Sequence, residues 1–331
     1  FKEQQSSHKM TSEFYGLCYH YIRKESNDPF PRIFGTKIND FNEHVKMIQK
    51  KFEVMSLDDL QLFYKQKTDA VNKKKGIIFT FDDGLADQFE AAKILYENNI
   101  SGIFFIPTCS LFDNVPANPI ILHYAIAIHG LKKFLGELGK YFEKYDISEK
   151  PLFMKNQEII ENKFEVINEI KDILYYKINH ILTRKILVEI YQDFILSENI
   201  VNNDIHFSID QVNKLLKMGH KIGTHSHSHI SIGSSKMSNE EFNIEIIKPK
   251  ELLAKKFRTN IISMSYPFGE KKDCLESEKL LKKTKSYEFA FTIENKLNMI
   301  NTSKLEIGRY MVHSNDDTLK LEKKLEENVK N

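Results

Sequence analysis

An α/β fold, with a parallel sheet or barrel and helices packed outside it, is predicted by three observations. Short apolar runs of strand length alternate with stretches of helical periodicity in both halves of the chain. The runs are continuously apolar rather than alternating, as in strands buried on both faces. The polar clusters richest in chemistry sit directly after such runs, at the strand ends where parallel α/β folds gather their sites.

Taken in order, residues 14–22 read as a first strand, rich in aromatic and aliphatic side chains. Residues 40–52 read as a helix, because Phe41, Val45, Ile48 and Phe52 recur on one face. GIIFTF at residues 76–81 is a buried strand, followed by a helix over 86–98 and another buried strand over 102–107. In the second half Ser208 and Gln211 have capping-box spacing for a helix ending near Gly219, and Ser238 with Glu241 repeats it. Pro249 should kink or break that second helix. Residues 220–224, 261–266, 287–293 and 307–312 are the remaining strand candidates.

Residues 112–206 break this rhythm. They are helical in pattern, rich in Lys, Glu, Ile and Leu, and read as an insertion that either packs on the sheet or shapes a substrate site. Within it the run 120–128 contains His123 and falls short of the ~18 apolar residues of a membrane span. It fits a buried helix better than a membrane or dimer contact. The expected organisation is therefore a polar tail or cloning remnant (1–12), one domain (13–315) carrying the insertion, and a charged C-terminal helix (316–331).

Composition excludes several classes. In 331 residues, 48 basic and 46 acidic side chains leave a formal charge of +2, which predicts no nucleic-acid partner. Cys18, Cys109 and Cys274 form no CxxC pair, so neither a disulfide framework nor a thiolate zinc knuckle is expected. Reduced thiols and a start without an apolar signal core fit a cytoplasmic location; a leader removed upstream would leave the same start. A homo-oligomer is compatible with this composition.

Two clusters carry chemistry. Asp82 and Asp83 follow the strand 76–81 and precede Gly84. An acidic pair before glycine is most often a turn, but adjacent side chains point apart, so at a strand end one acid can face a metal while the other serves as a base. The second cluster is His225-Ser226-His227-Ser228-His229. His225 and His229, at i and i+4, would share one side of a helical turn, with His227 directed away. One carboxylate and two histidines suit zinc hydrolysis or ferrous-iron oxygen chemistry, and the spare Asp favours hydrolysis.

FTFDDG followed by HSxxH resembles the polysaccharide deacetylase family (carbohydrate esterase family 4, the NodB-like homology domain), over residues 13–110 and 207–313. The resemblance implies a deformed (β/α) barrel and metal-dependent removal of an N-acyl group, usually N-acetyl, from an amino sugar; the cytoplasmic reading favours a precursor, such as a nucleotide- or lipid-linked amino sugar. It implies Asp82 as general base and Asp83, His225 and His229 as ligands of one divalent ion, most often Zn2+. Ser265-Tyr266-Pro267-Phe268-Gly269 resembles the family's Pro-aromatic groove wall, which would give the Phe268 amide an oxyanion role. The family's base-holding arginine is missing from that motif, and Arg309 is the expected substitute. There is no tryptophan, so sugar stacking would fall to Tyr266, Phe268 or Tyr310. For the catalytic acid, His20 after the first strand is favoured over His313 after the last. The rival readings are an O-acyl esterase or non-sugar amidohydrolase on the same site, an iron oxygenase, and a non-catalytic carbohydrate-binding protein.

Overall fold

The computed structural model describes residues 11–24, 28–65, 74–149 and 163–327. Most of the expected tail, the middle of the insertion and the last residues of the C-terminal helix lie outside them. The centre is a nine-stranded sheet. Its strands β1 (Glu13–Tyr19), β2 (Gly76–Phe81), β3 (Ile103–Ile106), β4 (Lys221–Thr224), β5 (Ser263–Ser265) and β6 (Phe289–Phe291) run parallel in that order. β7 (Arg309–Met311) lies parallel to the other edge of β1. A bridge from Phe291 to Ile307 brings β6 to the chain just before β7, so the sheet curls round on itself as a deformed barrel.

Burial explains the patterns of the strands. Every residue of β2 is buried, which is why GIIFTF is apolar from end to end; Thr80 is accommodated because its hydroxyl donates to Leu17 O at 2.7 Å. The first strand is shorter than expected. β1 stops at Tyr19, and Ile22–Arg23 pairs instead with Thr36–Lys37 in a separate two-stranded sheet. Because the strands are parallel, the residues after Tyr19, Phe81, Thr224 and Ser265 all emerge at one end of the barrel.

Both capping boxes form. Ser208 Oγ accepts the Gln211 N–H while Gln211 Oε1 accepts the Ser208 N–H, and Ser238 and Glu241 exchange the same pair of bonds. Pro249 does not end the helical run. A π-turn at Asn243–Ile247 precedes it, and the proline falls in the first turn of the helix Lys248–Phe257, where a missing N–H costs little.

The insertion folds around an apolar core of its own, in which Ile120, Leu138, Phe142, Ile170 and Leu187 are buried. The run 120–128 lies in the helix Asn118–His129, which buries Ile120, Ile121 and Leu122. No helix among the described residues is long and apolar enough to cross a membrane. The charged helix Thr318–Glu327 is solvated on one face only; the other buries Leu321 and Leu325, and Lys51 pairs with Glu322 and Glu326 beside them.

Candidate active site

The two acids after β2 diverge because the chain turns sharply between them. Asp83 has φ 71° and Gly84 φ 58°, both in the left-handed region. The turn is pinned from below: Gln88 Nε2 donates to Asp82 O at 2.6 Å and to His20 O at 3.0 Å. His206 Nδ1 bonds Asp83 O at 2.9 Å. Asp82 is thereby aimed into the barrel and Asp83 toward the histidine loop.

Inside the barrel Asp82 meets Arg309, the largest fully buried side chain among the described residues. Arg309 Nη1 and Nη2 donate to the two Asp82 oxygens at 2.7 Å each. The remaining donors reach Thr292 O, Thr80 Oγ1 and Ser265 Oγ, so all guanidinium N–H groups are used. Ser265 Oγ also donates to Asp82 at 2.9 Å. Burial alone would raise the Asp82 carboxyl, but the Arg309 guanidinium overcomes it and holds the group ionised well below the usual carboxylate range. Gly16 makes the room: a Cβ there would lie 2.6 Å from Arg309 Cγ.

The histidine loop is not a helical turn, so the i, i+4 argument is corrected. His225 and His229 meet because Ser226 (φ 57°) and His229 (φ 65°) fold the loop back, leaving the rings edge to face with centroids 4.6 Å apart. Glu245, in the π-turn, accepts the His227 and Ser228 N–H groups and the Ser228 hydroxyl, which fixes the loop. The short helical turn after β3 fixes its other side, with Thr108 N–H and Cys109 N–H donating to Ser226 O and His227 O. His227 points away as expected, to Thr108 Oγ1 and Asp113 Oδ2 at 2.9 Å each.

Asp83 Oδ1 is the focus of this loop. It lies 3.6 Å from His225 Nε2 and 3.4 Å from His229 Nε2, and although buried it has no hydrogen-bond partner. Ligands sharing one tetrahedral ion at bonds of about 2.0–2.2 Å sit about 3.3–3.6 Å apart, so the donor set fits such an ion. The His225 Nδ1 bond to Ser265 O (2.9 Å) leaves the Nε2 lone pair facing Asp83. Burial lowers both histidines and keeps them neutral. Burial, with Asp82 adding to it, pushes Asp83 up to about 8.

A divalent ion must therefore displace one proton, from Asp83, below about pH 8. Affinity should climb about tenfold per pH unit up to that point and then flatten. Calorimetry in buffers of different ionisation enthalpy should read about one proton released per ion at pH 7. A pH-independent affinity near neutrality would show that Asp83 is already ionised there and that its upward shift is absent. A second grouping, Cys18, His20 and Asp82, brings its ligand atoms within 4.8 Å of one another, but the Arg309 charge bound to Asp82 opposes a cation there.

The acids and histidines open onto a cleft of about 1510 Å³. His20 lines it; burial keeps that ring neutral, lowered to about 4. His313 is exposed and lies off the cleft, with its backbone N–H donating to Asp316 Oδ2. Phe268 (φ 62°) lines the cleft, its ring 4.7 Å from that of His229, and its backbone N–H has no acceptor among the described residues. The other groove assignments need correction. Tyr266 and Pro267 are buried away from the cleft, with the Tyr266 hydroxyl bound to Leu305 O. Tyr310 is likewise buried and bonded to Asp316. Arg309, offered from the sequence as the base-holding arginine, bonds Asp82 and, with no exposed surface, does not line the cleft. The aromatic wall comes instead from the insertion, where Tyr175 and Tyr176 pack on Phe268 at 5.0 and 5.9 Å. Sequence reading missed these two; the only signal was an aromatic pair in a helical pattern.

Fold and site together define a deformed (β/α)-barrel protein with a candidate single-ion centre beside an arginine-held carboxylate. The family model described as polysaccharide deacetylase matches residues 192–291, which include the histidine motif, β5 and β6. The family comparison thus supports the resemblance over the half that carries the histidine motif; the FTFDDG segment lies outside the match. Similar folds include a Streptococcus pyogenes deacetylase PplD in complex with acetate (12% identity, TM-score 0.56, 94% of this chain and 97% of that one). IcaB from Ammonifex degensii (12%, 0.54, 94% and 96%) and a de-N-acetylase from Aggregatibacter actinomycetemcomitans (13%, 0.54, 94% and 99%) are others. At these identities the likeness is one of fold. No curated protein matches the chain at a significant level.

Proposed function

We propose that the protein is a metal-dependent carbohydrate deacetylase that removes an N-acyl group, most simply N-acetyl, from an amino sugar. The observation that carries this reading is a buried, ionised Asp82 only 4.0 Å from His225, itself part of a three-residue donor set with an orphaned carboxylate oxygen. When bound, a divalent ion, zinc by the His2Asp donor chemistry, would acidify a water and polarise the acyl carbonyl.

This chain's residues do the rest. Asp82, kept ionised by Arg309, takes the proton of the attacking water. The Phe268 N–H is free to donate to the oxygen on which negative charge develops. His20, neutral at rest and with a ligand atom within 4.8 Å of Asp82, relays that proton to the leaving nitrogen. Acetate and a free amino sugar result, with one water consumed.

The test is acetate release from N-acetylated sugars, with O-acetylated sugars and simple N-acetyl amides as parallel arms, before and after chelation. Turnover of the N-acetyl sugars alone, lost on chelation and restored by zinc, is the expected result. Preference for the O-acetyl arm would make the protein an esterase, and binding without turnover would make it a carbohydrate-binding protein.

A further inference from the structure

The cleft carries more positive charge than the proposed chemistry uses. The acids that line it have neighbours other than a free lysine. Asp82 is bound by Arg309, Asp83 faces the two histidines, Asp172 pairs with Lys177 at 2.7 Å, and Glu270 pairs with Lys272 at 3.4 Å. Lys171, half-buried in the same wall on the helix Lys163–Asp172, has no carboxylate partner among the described residues.

Its surroundings sharpen the point. His123 lies close enough for Lys171 to act on it, and burial with that charge drives the ring down to about 3, so it offers no negative or compensating group. The His123 ring is held by the Tyr21 hydroxyl at 3.2 Å. Burial lowers Lys171 itself with no acid opposing the shift. Four residues on, Tyr175 places a buried hydroxyl, also without a partner, beside Phe268. A half-buried ammonium with no acid beside it and an orphaned hydroxyl in one wall favour a ligand that can accept hydrogen bonds there.

We propose that the insertion forms a subsite for an anionic group, a phosphate or a carboxylate, carried by the amino-sugar substrate, with Lys171 as its cation. The inference rests on the deacetylase reading for the sugar and adds the class of substituent. A sugar lying against Tyr176 and Phe268 would direct its acyl group to the Asp83 end and its anionic group to Lys171. The insertion is then the part of the chain that sets specificity.

Calorimetry with N-acetylglucosamine, its 1-phosphate and N-acetylmuramic acid separates neutral, phosphate and carboxylate ligands. The wild-type chain should bind at least one anionic sugar about tenfold or more tightly than the neutral one, as expected for a charge-assisted hydrogen bond. Lys171→Met, which keeps the length and packing of the stem, should reduce that preference to threefold or less. Lys171→Arg should retain most of it. Equal binding of all three sugars by the wild type, or a preference that survives Lys171→Met in a protein of unchanged melting temperature, overturns the proposal. Acetate release, measured separately, tests the deacetylase reading: an anion preference without turnover would sink that reading and leave the subsite standing.

Discussion

Asp82→Asn should lower turnover about 10²–10⁴-fold while a stoichiometric divalent ion remains bound. The argument starts from ionisation. Asp82 is 2% exposed, and a carboxyl so placed would be neutral without a partner; Arg309 keeps it charged and oriented at the edge of the donor set. Asparagine occupies the same volume and can accept one guanidinium bond, so the side chain stays in place but cannot take a proton. The ion is held by Asp83, His225 and His229 and should be retained, as metal analysis of the purified variant would show. Near-normal turnover would refute Asp82 as the base. Loss of both metal and turnover would instead place Asp82 among the ligands.

Arg309→Met should destabilise the fold by about 3–5 kcal/mol, because it strands a buried carboxylate rather than removing a pair. The variant also reverses a sign. In the wild type Asp82 is depressed below its unfolded value, so its contribution to stability is fully present above about pH 4 and lost only in acid. Without the guanidinium, burial dominates and the folded pKa rises above the unfolded one, so the stability of the variant should fall as pH rises past about 4. Urea melts at several pH values would read both effects. Arg309→Lys should rescue little, since a single ammonium cannot reproduce the paired bonds to Asp82 Oδ1 and Oδ2 together with those to Thr80, Ser265 and Thr292. Stability equal to wild type, with an unchanged pH slope, would show that the pair contributes nothing.

Sequence pattern reached the parts of the site that are local. Asp82 and Asp83 stand out because they end a run that burial forces to be apolar, and His225 and His229 because histidines crowd a strand end. The reason given for the histidines was wrong in form: positive-φ turns, not a helical period, bring the rings together, and nothing in HSHSH specifies φ at Ser226 or His229. Gly16 was a visible clue to Arg309, since a glycine in a buried strand implies a close neighbour, but it does not say which one. Tyr266 and Tyr310 were plausible stacking residues by position, and the pleat and the Leu305 and Asp316 contacts turned both away from the cleft.

What the sequence determined by itself, then, was the alternation of buried strands and amphipathic helices, the capping boxes, and the two short clusters of acid and imidazole. These depend on neighbours a few positions apart, and backbone geometry makes such spacings readable. Only the tertiary structure decided that Arg309 reaches Asp82, that Glu245 and His206 brace the two loops of the site, and that Tyr175, Tyr176 and Lys171 line the same cleft as the acids. Those meetings follow from closure of the barrel and from the face that the insertion turns toward it. Both are set by the summed packing of segments far apart in the chain, to which no single stretch of residues holds the key.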